Sequence, residues 1–114
     1  MILTDQEKMV LTPTYYVFKM YVPFQDATLL PVTFDAGKYT QGDVSLPRVD
    51  AIAARDASGK VWLEITNLDA EKPAQIDAAI AGVTPKTATG ETLTAPAVDS
   101  INTFAAPGWL CQRR

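Results

Sequence analysis

Between Val49 and Leu68 the apolar positions recur at every second residue. Val49, Ala51 and Ala53 alternate with Asp50, Ile52 and Ala54, and further on Val61, Leu63 and Ile65 alternate with Trp62, Glu64 and Thr66. A period of two predicts half-buried strands, because successive side chains leave opposite faces. Asp56-Ala57-Ser58-Gly59-Lys60 divides the two runs. It suits a three-residue loop with Gly59 in the left-handed position, where a Cβ would be costly. Pairing Asp56 with Lys60 sets Ala53 opposite Leu63 and Ala51 opposite Ile65, so that small faces large on a tightly packed face. Asn67-Leu68-Asp69 ends the second strand.

Other stretches are less regular. Residues 1–11 hold Ile2-Leu3 and Met9-Val10-Leu11 around Asp5-Gln6-Glu7-Lys8, a short hairpin or an extended lead-in. Thr12-Pro13 reads as a helix start, Thr12 capping and Pro13 at the first helical position. That helix runs to about Tyr21 and ends before Pro23. Tyr15, Tyr16, Val17, Phe18, Met20, Tyr21 and Val22 surround the single charge of Lys19. Such a helix is buried over most of its circumference, either as a core helix or against a larger packing partner.

Ala27–Phe34 reads as a strand that Pro31 confines to an edge or a bulge. Gly37–Gly42 reads as a turn or loop, and Val44–Pro47 leads into the central hairpin. Ala74–Ala81 alternates Ala and Ile with polar or small residues and reads as a strand, with a helix as alternative. Val83–Thr94 suggests one bent strand or two short ones. After Pro96 the pattern fades.

Composition narrows the function. The 114 residues suffice for one domain with a core. A formal net charge of −3 without charge blocks argues against a nucleic-acid partner and against an anionic membrane. No apolar run reaches the length of a membrane span. The lone Cys111 and the lack of a signal peptide lead us to expect a cytoplasmic protein without disulfides. The absence of histidine removes the commonest general base and metal ligand.

No catalytic, cofactor or metal site is expected, and no cofactor. The glutamates are Glu7, Glu64, Glu71 and Glu91, each read as solvated surface charge; glycoside hydrolysis needs two carboxylates facing each other across a cleft. Ser45, Ser58, Ser100 and Cys111 have no histidine to activate them. Trp62 shares a face with Ile52, away from Val61, Leu63 and Ile65. It could stack on a sugar ring, but a packing role is favoured, with its N–H on a rim acceptor. Trp109 falls where no periodicity places it.

Residues 2–22, ILTDQEKMVLTPTYYVFKMYV, resemble the α-L-arabinofuranosidases of glycoside hydrolase family 51. The similarity continues in order through Gln25-Asp26-Ala27-Thr28, Arg55-Asp56, Gly59-Lys60, Asn67-Leu68-Asp69, Thr89-Gly90 and Asn102-Thr103-Phe104. Tyr16 departs from the histidine common at its position. The resemblance implies that residues 1–24 are the lead-in and last helix of a (β/α)8 catalytic barrel. It implies that 25–107 form a C-terminal jelly-roll-like antiparallel β-sandwich. Residues 108–114 are set apart as a non-matching tail, so the sandwich is either complete without them or lacks its closing strands.

The fold expected is therefore an all-β sandwich preceded by one N-terminal helix. The function expected is that of a non-catalytic accessory domain of an arabinofuranosidase. The parent would act on terminal arabinofuranosyl units of arabinan or arabinoxylan with retention, and its catalytic carboxylates would lie outside this chain. The alternatives are a stand-alone carbohydrate-binding module using Trp62, and an interaction domain docking through its helix. Tyr16, Val17, Phe18, Met20 and Tyr21 are the candidate interface, with Leu11, Tyr15, Phe18 and Val22 the stripe that covers the sheet. The isolated chain is expected to self-associate, by its helix in preference to an open sheet edge.

Overall fold

In the computed structural model the described residues are 1–108 and, for the backbone alone, 111–113; Trp109, Leu110 and Arg114 lie outside them. In chain order the elements are β1 (Ile2–Asp5), β2 (Lys8–Leu11), α1 (Pro13–Tyr21), a 3-10 turn (Val22–Phe24), β3 (Thr28–Leu30), β4 (Lys38–Gln41), β5 (Val44–Pro47), β6 (Val49–Arg55), β7 (Val61–Asn67), β8 (Thr92–Thr94) and β9 (Cys111–Arg113). Every strand pairing among them is antiparallel. The chain is all-β with one α-helix, as expected. It divides into two compact units, residues 23–79 and residues 1–22 with 80–114.

The unit of residues 23–79 is built on the β6–β7 hairpin. Its register is the one the alternation predicts, with Ala53 opposite Leu63 and Ala51 opposite Ile65. The loop closes through Asp56 N donating to Lys60 O at 3.0 Å, and Gly59 takes φ +86°. β3 pairs on the far side of β6, giving the order β3-β6-β7. The central strand is the buried one: Val49, Ala53 and Ala54 are buried, whereas Leu63 on β7 stays 44% exposed. The tight packing expected at Leu63 is thus absent, because β7 is an edge strand.

Three expectations are corrected in this unit. The strand expected over residues 27–34 shrinks to Thr28–Leu30. It lies at the sheet edge and stops at Pro31, which has no N–H to donate. The loop expected over Gly37–Gly42 contains β4, which pairs with β5. Gly37 and Gly42 take φ +70° and +57° and serve the turns at its two ends. Ala74–Ala81 is not a strand, and Ile76 is 44% exposed there. Alanine removes too little apolar area from water to hold such a segment in a ladder.

A polar lock fixes the chain beyond β7. Arg48 Nε donates to Asp69 Oδ2 at 2.9 Å and Arg48 Nη2 to Pro73 O at 3.1 Å. Asn67 Nδ2 donates to Lys72 O at 2.8 Å. The amides of Glu71 and Lys72 donate to Asp69 Oδ1. The Glu71 amide first, then the Lys72 amide and Arg48, hold the Asp69 carboxyl below its ordinary range against the opposing effect of desolvation.

In the other unit, β1 and β2 form a hairpin with Gln6 at φ 53° in its turn. α1 starts at Pro13 as expected, yet Thr12 makes no side-chain cap. Its hydroxyl donates to Met1 O at 2.8 Å, tying the helix start to the first strand. Of the strands expected over residues 83–94, only β8 forms, and it pairs with β9 in the segment set apart as a tail. Val10 is 1% exposed. Beside it, Asn102 is buried and its Nδ2 donates to Leu11 O at 2.9 Å. Asn102→Ala would leave that carbonyl without this donor. We expect a loss of about 1–3 kcal/mol in urea unfolding followed by circular dichroism.

Candidate functional site

Two surfaces carry the residues the sequence singles out. The first is α1, none of whose residues is buried. Val17, Phe18, Tyr21 and Val22 are 43%, 62%, 37% and 55% exposed, while Tyr15, Tyr16 and Met20 are half-buried. Residues three and four apart share a helix face, so Thr14, Val17, Phe18 and Tyr21 form one outward stripe. The expected assignment of faces is corrected: Phe18 and Val22 point out, and Tyr16 and Met20 point in. Of the candidate interface, Val17, Phe18 and Tyr21 lie together on the open face. Tyr15 and Tyr16 meet edge to face with ring centroids 5.5 Å apart. Proline, aromatic and β-branched residues at those spacings identify an apolar helix, but only packing shows which side stays bare.

The second surface is the tip of the β6–β7 hairpin. Trp62 is half-buried and its Nε1 donates to Asp56 Oδ2 at 2.8 Å. Lys60 Nζ lies 3.7 Å from the Trp62 ring centroid, so a cation occupies one ring face. Asp56 Oδ1 accepts from Ser58 N, Ser58 Oγ and Lys60 N. The Ser58 hydroxyl first, and then the Trp62 indole, draw the Asp56 carboxyl from 3.8 down to about 2. Asp56-x-Ser58 is a recognisable turn signal in the sequence. The indole contact, six residues from Asp56, is not, because it depends on the register of the hairpin.

The glutamates stay apart in character. Glu7, Glu71 and Glu91 are exposed. Glu64, expected to be solvated, is half-buried; its Oε1 accepts from Thr66 Oγ1 at 2.7 Å, and its Oε2 is shielded without a partner. It faces Ile52 across the ladder and not another carboxylate. Among the described residues no three or more His, Cys, Asp or Glu side chains gather as a metal site. The depression between Pro96 and Ala106 has Asp99 as its one titratable lining residue. No helix among the described residues is long and apolar enough to cross a membrane. What the geometry offers is an exposed apolar stripe and an aromatic, hydrogen-bonded hairpin tip.

The chain is similar to known proteins along nearly its whole length. The profile of the alpha-L-arabinofuranosidase C-terminal domain matches residues 1–112. An intracellular exo-alpha-L-arabinofuranosidase of Bacteroides ovatus is 41% identical over 108 residues, which are 94% of this chain and 21% of that protein. The crystal structure of the GH51 arabinofuranosidase from Xanthomonas axonopodis pv. citri superposes with a TM-score of 0.87 at 40% identity. That superposition covers 99% of this chain and 23% of the other. The chain therefore spans less than a quarter of the length of these relatives.

The hairpin tip carries a pH dependence. With its pKa held near 2 in the folded chain against an ordinary 3.8, Asp56 stabilises the tip in full above pH 3.8. That contribution is lost as the pH falls through about 2. Trp62 fluorescence is expected to shift between those limits, and Asp56→Asn to remove the shift while the far-ultraviolet circular dichroism is kept.

Proposed function

The chain belongs to the alpha-L-arabinofuranosidase C-terminal domain family, and from that premise we propose that it is the non-catalytic accessory domain of a cytoplasmic α-L-arabinofuranosidase. The catalytic work belongs to a (β/α)8 barrel of the same enzyme, releasing terminal arabinofuranosyl units from arabinan or arabinoxylan with retention. The observation that carries this reading is the outward stripe Val17-Phe18-Tyr21 on α1, an apolar helix face of the kind another domain covers. Residues 1–24 would join the barrel and residues 25–107 would form the sandwich, which β9 of the expected tail extends by pairing with β8. Covering about 200 Å² of apolar surface contributes about 5 kcal/mol before the costs of ordering. Trp62, tied to Asp56 and capped by Lys60, acts as a packing residue in this reading. Without a barrel, the stripe draws copies of the chain together.

The test is a graft. This chain replaces the corresponding segment of the Bacteroides ovatus relative, and the chimera is expected to fold and to hydrolyse an aryl arabinofuranoside. Phe18→Glu in the graft places a charge in the covered stripe and should destabilise the chimera by at least about 2 kcal/mol. The chain alone should give no turnover. Turnover by the chain alone that disappears in Glu64→Gln overturns the non-catalytic assignment. Indifference of the chimera to Phe18→Glu overturns the docking face. Saturable arabino-oligosaccharide binding lost in Trp62→Ala would favour a carbohydrate-binding module instead.

A further inference from the structure

We propose that the outer edge of β7 is a self-pairing surface through which two copies of this chain join, antiparallel and edge to edge. The ladder with β6 decides which backbone groups that edge presents. Asp56 N donates to Lys60 O, and Leu68 N donates to Arg48 O at 2.9 Å. Hydrogen-bonded pairs alternate along an antiparallel ladder, so the bonded pairs between these ends are Ala54–Trp62, Ile52–Glu64 and Asp50–Thr66. Trp62, Glu64 and Thr66 therefore turn their main-chain groups toward β6. Val61, Leu63 and Ile65 turn theirs the other way, and β7 has no second strand neighbour among the described residues.

This edge is long and poorly guarded. β7 has seven residues and no proline. The opposite edge of the sheet, β3, has three residues and is closed by Pro31. Edges are normally blunted by shortness, proline, bulges or charge. On β7 the only charged residue is Glu64, whose main chain already serves β6. Val61, Trp62, Ile65 and Thr66 are residues that suit a ladder.

The sequence of β7 is complementary to itself. A two-fold axis at Leu63 sets Leu63 against its own copy, Val61 against Ile65, and Trp62 against Glu64. Lys60 then stands diagonal to Glu64 of the other copy, within reach for long side chains. An axis at Glu64 would set two carboxylates directly opposite, which like charge disfavours. An axis at Ile65 would pair as many residues of β7 but would set Leu63 against Asn67 and carry Lys60 away from Glu64 of the other copy. Charge and apolar matching therefore select the register centred on Leu63. The contact is isologous and closes on two chains, doubling the three-stranded sheet. It depends on residues 23–79 alone, whatever α1 docks against.

The test uses the full chain carrying Phe18→Glu, so that association through α1 is suppressed. Sedimentation equilibrium from low to high micromolar concentration should still show a rise from one chain to two. Amide exchange should slow by roughly tenfold or more at Val61, Leu63 and Ile65 only at the high concentration. The amides of Trp62, Glu64 and Thr66 should be protected throughout. Adding Leu63→Lys should hold the chain monomeric while its circular dichroism is unchanged. Leu63→Pro, which removes an outward N–H and no bond to β6, should do the same. A monomer across the range in the Phe18→Glu chain overturns the proposal. So does a dimer with unaltered exchange at Val61, Leu63 and Ile65, or one that survives Leu63→Lys.

Discussion

The antiparallel ladder between β6 and β7 is the interaction on which residues 23–79 depend. It runs from Val49 opposite Asn67 to Arg55 opposite Val61. Among the described residues the one strand that pairs with β3 is β6. The buried Val49, Ala53 and Ala54 all lie on that central strand. Each end of the ladder is closed by an aspartate. At the tip, Asp56 gathers two amides, a hydroxyl and the Trp62 indole. At the far end, Asp69 takes two amides and the Arg48 guanidinium. Ionised carboxylates accept several donors at once, and such charge-assisted bonds are stronger than neutral ones. Two short polar clusters therefore hold the register of a sheet whose apolar contacts are few.

The scarcity of apolar burial is the second constraint. Among the described residues the buried hydrophobic side chains are Val10, Val49, Ala53 and Ala54, whereas Phe18, Leu29, Phe34 and Ile101 are each more than half exposed. A domain that exposes so much large apolar area gains by covering it. The family to which the chain belongs supplies a reason, since the relatives are more than four times its length. An accessory domain can leave a helix face bare where a neighbouring domain supplies the cover. Among the described residues, the bare stripe of α1 and the open edge of β7 express one shortage in two ways, as uncovered side chains and as unpaired main-chain groups.

How much of this was legible beforehand differs by element. The register of the β6–β7 hairpin is legible to the residue, because alternation, an Asp-x-Ser turn and a positive-φ glycine are all local signals. The start and end of α1 were read from Thr12-Pro13 and Pro23 for the same reason. Residues 2–22 and the later matching strings pointed to the family directly. The failures are equally particular. β4 reads as a loop in the sequence because its bounding glycines outweigh the four polar-rich residues between them. Ala74–Ala81 reads as a strand because alternation of small side chains looks like a strand whether or not a partner exists. Thr12 reads as a cap, but its hydroxyl donates to Met1 O instead.

The sequence by itself determined the periodicity, the turns, the register of the central hairpin, the all-β class and the family resemblance. These follow from steric rules that act over a few residues, or from residue identities strung in order. Only the tertiary structure decided which side of α1 stays open and that β7 is an edge. It also decided that Asp56 reaches the Trp62 indole, that Arg48 grips Asp69, and that Asn102 serves Leu11 from 91 residues away. Those outcomes depend on which elements come to lie side by side. That choice is made by burial and hydrogen bonding between distant segments, and no local pattern encodes it.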